Sequence, residues 1–136
     1  MSPVEQILAL DVGTKRVGIA RASALAKLPE PLMTVNVSEA FSAIEKLVQT
    51  QPVAAIVIGL PRNLEGQDTA QTASVRQWAK KLKTKFDIPL YLQDEALTSK
   101  AAETSKVGRS SGIDALAAAI ILEDFFNTPK EQRQSA

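Results

Sequence analysis

Apolar positions in this chain fall first into short continuous runs and later into stretches with helical spacing. Ile7-Leu8-Ala9-Leu10 is the first run; Asp11 ends it, and Val12-Gly13-Thr14-Lys15-Arg16 follows at once. A second run, Val17-Gly18-Ile19-Ala20, predicts with the first a strand pair over 6–12 and 16–22 joined by a tight turn. Residues 32–37 predict a third strand, entered from Pro29 and Pro31. Ser38 is placed to cap a helix whose apolar stripe is Phe41, Ile44, Leu47 and Val48. Pro52 then precedes Val53-Ala54-Ala55-Ile56-Val57-Ile58, which Gly59 ends, the pattern of a strand buried on both faces. A long helix is predicted from about Asp68 to Phe86, with Val75, Trp78, Ala79, Leu82 and Phe86 inward and Trp78 as a core anchor. Residues 89–93 predict a short strand running into Asp94-Glu95, and a polar helix or loop covers 98–109. The last helix begins near Ser110-Ser111-Gly112 and carries the stripe Ile113, Leu116, Ala117, Ile120, Ile121 and Phe125. From about Thr128 the tail is polar and is expected to fray.

Three strands in hairpins followed by βα units predict an α/β fold. Its sheet is mixed and five-stranded, with three leading antiparallel strands, then two parallel ones, and helices on both faces. The length of 136 residues fits one domain over 1–136, with a core from about 5 to 127 and a polar tail over 128–136. No repeat or low-complexity linker divides it. The opening Met1-Ser2-Pro3-Val4-Glu5 has no signal-peptide pattern, and no apolar run is long enough to span a bilayer. The expectation is a soluble, cytoplasmic protein.

Composition narrows the chemistry. There are no cysteines and no histidines, which excludes disulfides, thiolate or imidazole metal sites, and Ser-His-Asp or Cys-His catalysis. Any metal here has oxygen ligands, which favours Mg²⁺ or Mn²⁺. The net charge of +1 leaves room for a nucleic-acid partner only through a local basic patch.

Three acids stand at positions of interest. Asp11 ends the first strand, Glu95 follows the last, and Asp114 lies in the first turn of the last helix. The C-terminal edge of an open α/β sheet is where ligands bind. A helix starting there brings Asp114 into the same cleft. Carboxylates gathered in this way repel one another unless divalent cations neutralise them. Two ions roughly 4 Å apart clamp a scissile phosphate without any histidine. Each acid also has a plainer role. Asp11 caps a hairpin turn, Asp114 favours the positive end of its helix, and Glu95 is a solvated loop residue with Asp94 competing for any inward position. Lys15 and Arg16 beside Asp11, and Arg62 after the buried strand, are candidate phosphate contacts. Such contacts position a substrate without reading its sequence. The run Arg76, Lys80, Lys81, Lys83 and Lys85 reads as the solvated face of its helix. Pro61 and Gly66 suggest a fixed turn with a flexible exit over 59–66.

Asp11-Val12-Gly13-Thr14-Lys15-Arg16-Val17-Gly18-Ile19-Ala20 resembles the opening motif of the YqgF/RuvX family, described as Holliday junction resolvases and as pre-16S rRNA nucleases. Val57-Ile58-Gly59-Leu60-Pro61-Arg62-Asn63-Leu64-Glu65-Gly66 is similar to its second motif, Asp94-Glu95-Ala96-Leu97-Thr98-Ser99 to its third, and Asp114-Ala115-Leu116-Ala117-Ala118 with Ile121-Leu122 to its fourth. The four occur in order across roughly residues 7–126. The resemblance implies a ribonuclease-H-like fold and Asp11, Glu95 and Asp114 as catalytic, metal-binding acids. It implies phosphodiester hydrolysis with Mg²⁺ or Mn²⁺, two ions being expected. The implied role is maturation of the 5′ end of pre-16S rRNA on the pre-ribosomal particle. Two departures stand out: Ala96 replaces the usual arginine, and the stretch from Thr98 to Asp114 is short, keeping only Lys100, Lys106 and Arg109 as basic residues. Lys100 and Arg109 join the expected nucleic-acid contacts.

Three other readings remain. A junction resolvase acting on branched DNA uses the same metal chemistry and needs a dimer, so a monomer or a weak homodimer is expected. A weakly active or non-catalytic ribosome-assembly module would account for the two departures. A nucleotide-binding ATPase of the actin type shares the Asp-x-Gly-Thr loop but needs a second domain.

Overall fold

The computed structural model describes residues 4–95 and 112–136. Within them lies one sheet of order β3-β2-β1-β4-β5-β6. The strands are β1 (Gln6–Val12), β2 (Arg16–Ser23), β3 (Glu30–Asn36), β4 (Val53–Leu60), β5 (Leu90–Asp94) and β6 (Gln134–Ser135). β1, β2 and β3 form the antiparallel meander expected from the turn residues, while β1, β4 and β5 run parallel. β4 is therefore the central strand between β1 and β5, and the C-terminal ends of all three open on one edge.

Helices cover both faces. α1 (Ala40–Thr50) and α2 (Ala70–Lys85) pack on one face over Leu8, Leu10, Ile19, Ile56, Ile58 and Leu92. α3 (Gly112–Asn127) packs on the other, over Ala9, Ala20, Ala22 and Val57. The two faces differ in bulk. Large aliphatic side chains fill the α1/α2 layer, whereas small side chains let α3 approach closely through Ala115, Ala118, Ala119 and Leu122. Trp78 anchors the α1/α2 layer against Phe41, with ring centroids 5.1 Å apart.

Several expectations need correction. The sheet has six strands, not five, and the tail does not fray. β6 pairs antiparallel with β5, and Ala136 N donates to Leu90 O at 2.8 Å. Arg133 lies over the Phe125 ring at 4.1 Å, and Thr128 bonds to Gln93, so the polar tail is held by backbone and cation–π contacts that carry no periodic signal. β4 runs on through Gly59 to Leu60. Ser38 is not a cap: residues 37–39 form a 3-10 turn, with Asn36 preceding it and Glu39 at the start of α1. The stripe of α3 is also rotated in part: Ile121 and Phe125 are buried as expected, but Leu116 is half exposed while Ala115, Ala118 and Leu122 are buried.

α2 starts two residues later than expected. Thr69 caps it through a reciprocal pair with Thr72, whose buried hydroxyl also donates to the Pro61 carbonyl. This ties the first turn of α2 to the end of β4.

Candidate active site

The face on which each acid emerges follows from strand alternation. Ala9 lies under α3, so Asp11, two residues on, emerges on the same face. Its cross-strand partner is Gly18. A side chain at Gly18 would meet the main chain of Asp114, since a Cβ there would lie 1.9 Å from Asp114 O. The missing side chain thus lets the first turn of α3 rest on β2 beside Asp11. Gly18, Asp11 and Asp114 form one packed unit joining three separate segments.

β5 resolves the competition between Asp94 and Glu95. Leu90 and Leu92 lie in the α1/α2 layer, and Asp94 follows them onto that face, where its Oδ2 receives a hydrogen bond from Arg62 Nη1 at 3.3 Å. Glu95 takes the opposite face. Its N–H donates to Leu60 O at 3.1 Å, continuing the ladder, and its Cγ lies 3.5 Å from the Cβ position of Gly59 under α3. Glu95 is half-buried and Asp94 is exposed. Asp11, Asp114 and Glu95 therefore share the α3 face at one edge of the sheet. β5 stands two strand spacings, about 10 Å, from β1.

The electrostatics of the edge are unfavourable for Asp11. Burial first, and then the charge of Asp114, push its carboxyl from 3.8 up to about 6. Within the described residues no hydrogen bond or ion pair relieves it. Asp114 has a partner: Arg16 Nε donates to Asp114 Oδ2 at 2.9 Å. Among the described residues no group of three acids is drawn together closely enough to hold a metal ion. The donor chemistry nevertheless suits a hard divalent cation, with carboxylate oxygens only and, among the described residues, no cation paired with Asp11.

The basic residues fare differently. Lys15 is exposed in the turn between β1 and β2. Arg62 is committed to Asp94 and to Asp68, the latter at 3.2 Å, and Asp68 also holds Arg76 at 3.2 Å. Asn63 and Gly66 build the turn in the 61–68 loop. Asn63 Oδ1 accepts from Glu65 N and Gln67 N, and Gly66 adopts φ +76°, a conformation that favours glycine. Lys100, Arg109 and Ala96 lie outside the described residues, as does the polar 98–109 segment. Thr72 and the Arg16–Asp114 pair had no sequence signal. A groove of about 400 Å³ between α1 and β3, lined by Met33, Val35, Ala43 and Leu47, holds none of the three acids.

Sheet order, layering and the acidic edge define a ribonuclease-H-like α/β protein. The fold is shared with Thermus thermophilus RuvC, solved in complex with a Holliday junction substrate, at a TM-score of 0.55 and 15% identity over 97% of this chain and 99% of that one. The chain belongs to the RuvX family, described as Holliday junction resolvase, whose sequence profile matches residues 5–128. It is 35% identical over 135 residues to a Roseiflexus protein named "Putative pre-16S rRNA nuclease", covering 92% of this chain and 96% of the relative. A Chloroflexus aurantiacus protein of the same name is 38% identical over 133 residues, covering 89% and 86%.

Proposed function

We propose that this protein is a metal-dependent nuclease that hydrolyses phosphodiester bonds and processes the 5′ end of pre-16S rRNA. What supports this reading is that Asp11, Glu95 and Asp114 emerge on one face at one sheet edge, from three segments far apart in sequence. Two of these acids feel each other's charge, an arrangement that a structural role alone does not require.

Asp11, Glu95 and Asp114 would hold Mg²⁺ or Mn²⁺, which when bound supplies charge neutralisation at the phosphate and activation of the attacking water. Asp11 is the fixed member, set by β1 and buried on one side. Asp114 is positioned by the contact of α3 with Gly18. Glu95 is aimed by the end of β5, which Arg62 steadies from the other face through Asp94. Lys15 and Arg16 sit at the mouth of this edge, where a phosphate backbone would lie, with Lys100 and Arg109 as further expected contacts. Among the described residues no helix is long and apolar enough to cross a membrane. An rRNA precursor places the work in the cytoplasm, on the pre-ribosomal particle, with the single domain acting as a monomer or weak homodimer.

The family's description keeps cleavage of branched DNA as the second reading. One assay separates the two. RNA carrying the 5′ flank of small-subunit rRNA and a four-way DNA junction are each incubated with the protein and Mn²⁺ or Mg²⁺. The proposal predicts cleavage of the RNA and an intact junction. Symmetric cutting of the junction with intact RNA would overturn the rRNA assignment. Binding of RNA without cleavage of either substrate would indicate an assembly module.

A further inference from the structure

Arg16 opens β2, and Asp114 lies 98 positions later in the first turn of α3. Their contact joins Nε to Oδ2 at 2.9 Å, with side chains 45% and 26% exposed. Asp114 also faces the half-buried Asp11, which has no partner within the described residues. One guanidinium therefore neutralises one of two opposed carboxylates. Arginine suits this task, since it stays charged at any working pH and its fork retains further donors when one is used. Lys15, the preceding residue, is exposed and forms no such pair among the described residues.

We infer that Arg16 is the built-in counter-cation of the acidic edge: it occupies Asp114 in the ion-free protein and must yield that carboxylate when a divalent cation binds. This rests on the reading of Asp11, Glu95 and Asp114 as metal-binding acids. The inference accounts for two observations together. The acids share one face at one sheet edge, and the Asp114 carboxylate there is held by the Arg16 guanidinium. A partly exposed pair is worth a factor of about two to five in an equilibrium constant, weak enough for a divalent ion to displace it. Once released, the guanidinium is free for a substrate phosphate, to which it binds bidentately. Arg16 thus sets the affinity for the ion and couples ion binding to substrate grip.

The test is calorimetric titration of the metal-stripped, full-length protein with MnCl₂. Four variants accompany the wild type: Arg16→Gln, Arg16→Lys, Asp114→Asn, and the double variant Arg16→Gln/Asp114→Asn, each checked for folding by circular dichroism. Arg16→Gln is expected to bind Mn²⁺ about two- to fivefold more tightly than wild type. Arg16→Lys, which keeps the charge, is expected to stay closer to wild type. In the Asp114→Asn background the gain is expected to vanish. Unchanged or weaker Mn²⁺ binding by Arg16→Gln would overturn the inference, as would an equal gain without Asp114. If Arg16→Gln does not fold, Arg16→Lys carries the test with Asp114→Asn/Arg16→Lys as its partner, and an equal change in both backgrounds defeats the idea. Tight Mn²⁺ binding insensitive to Arg16 removes this inference alone. No Mn²⁺ binding by wild type removes the metal-dependent reading with it.

Discussion

Replacing Asp11 by Asn isolates the electrostatic cost of the candidate site. Burial and the Asp114 charge raise the Asp11 carboxyl from 3.8 to about 6 in the folded protein. Between those values the native state holds a proton that the unfolded chain has released. The resulting stability is fully present below pH 3.8 and is lost as the pH rises through about 6. At about 1.4 kcal/mol per unit of pKa, the ionised carboxylate costs the ion-free fold about 3 kcal/mol at pH 7.5. Asparagine keeps the shape and removes the charge. Asp11→Asn is therefore expected to stabilise the metal-stripped protein by up to about 3 kcal/mol at pH 7.5, and by only about 0.5 kcal/mol at pH 4. For a chain of this length the larger figure corresponds to about 10 °C in Tm. The assay is thermal or urea unfolding followed by circular dichroism, in EDTA, at both pH values. Adding MnCl₂ is expected to narrow the gap at pH 7.5 by stabilising wild type. A variant less stable than wild type at pH 7.5, or one with the same gain at both pH values, would refute the electrostatic reasoning.

Other consequences are equally open to measurement. Gly18→Ala drives a methyl group into the Asp114 main chain, so we expect a loss of about 1–3 kcal/mol in urea unfolding, together with weaker Mn²⁺ binding because α3 shifts. Wild-type stability with unchanged Mn²⁺ affinity would show that the contact is not tight. Thr72→Val removes the reciprocal cap and the bond to Pro61, at an expected cost of about 1–3 kcal/mol by the same unfolding method; a neutral result would mean that water replaces both bonds. Lys15→Ala is expected to reduce the slope of log binding constant against log salt for RNA by about one, whereas Arg62→Ala leaves it unchanged because Asp68 and Asp94 already neutralise Arg62. Slope changes in the reverse order would place Arg62 on the phosphate track.

The strand–turn–strand opening, the doubly buried β4 and the long α2 were legible because runs and periodicities report burial directly. The four motifs identified the family for the same reason that they identified the edge: each sits at the end of a strand or the start of a helix. What escaped the sequence was contact across distance. α3 is apolar on nearly every side, so spacing alone could not choose Ala115, Ala118 and Leu122 over Leu116 and Ile120. The choice is made by Gly18, Ala9 and Ala20 on the sheet, where only a helix face with small side chains fits. β6 is two residues long, too short for any alternation to show. Asp94 and Glu95 are adjacent and chemically alike, and only the register of β5 separates them onto opposite faces. The Arg16–Asp114 pair links residues with no local relation, and the commitment of Arg62 to two acids depends on how the 61–68 loop folds.

That separation of neighbours offers the most direct test of the account. Metal-dependent cleavage of the rRNA 5′ flank should be measured for Glu95→Gln and Asp94→Asn side by side. Glu95→Gln is expected to abolish cleavage, while Asp94→Asn, on the opposite face, is expected to retain at least about a tenth of wild-type activity. Loss of activity in Asp94→Asn with retention in Glu95→Gln would contradict it.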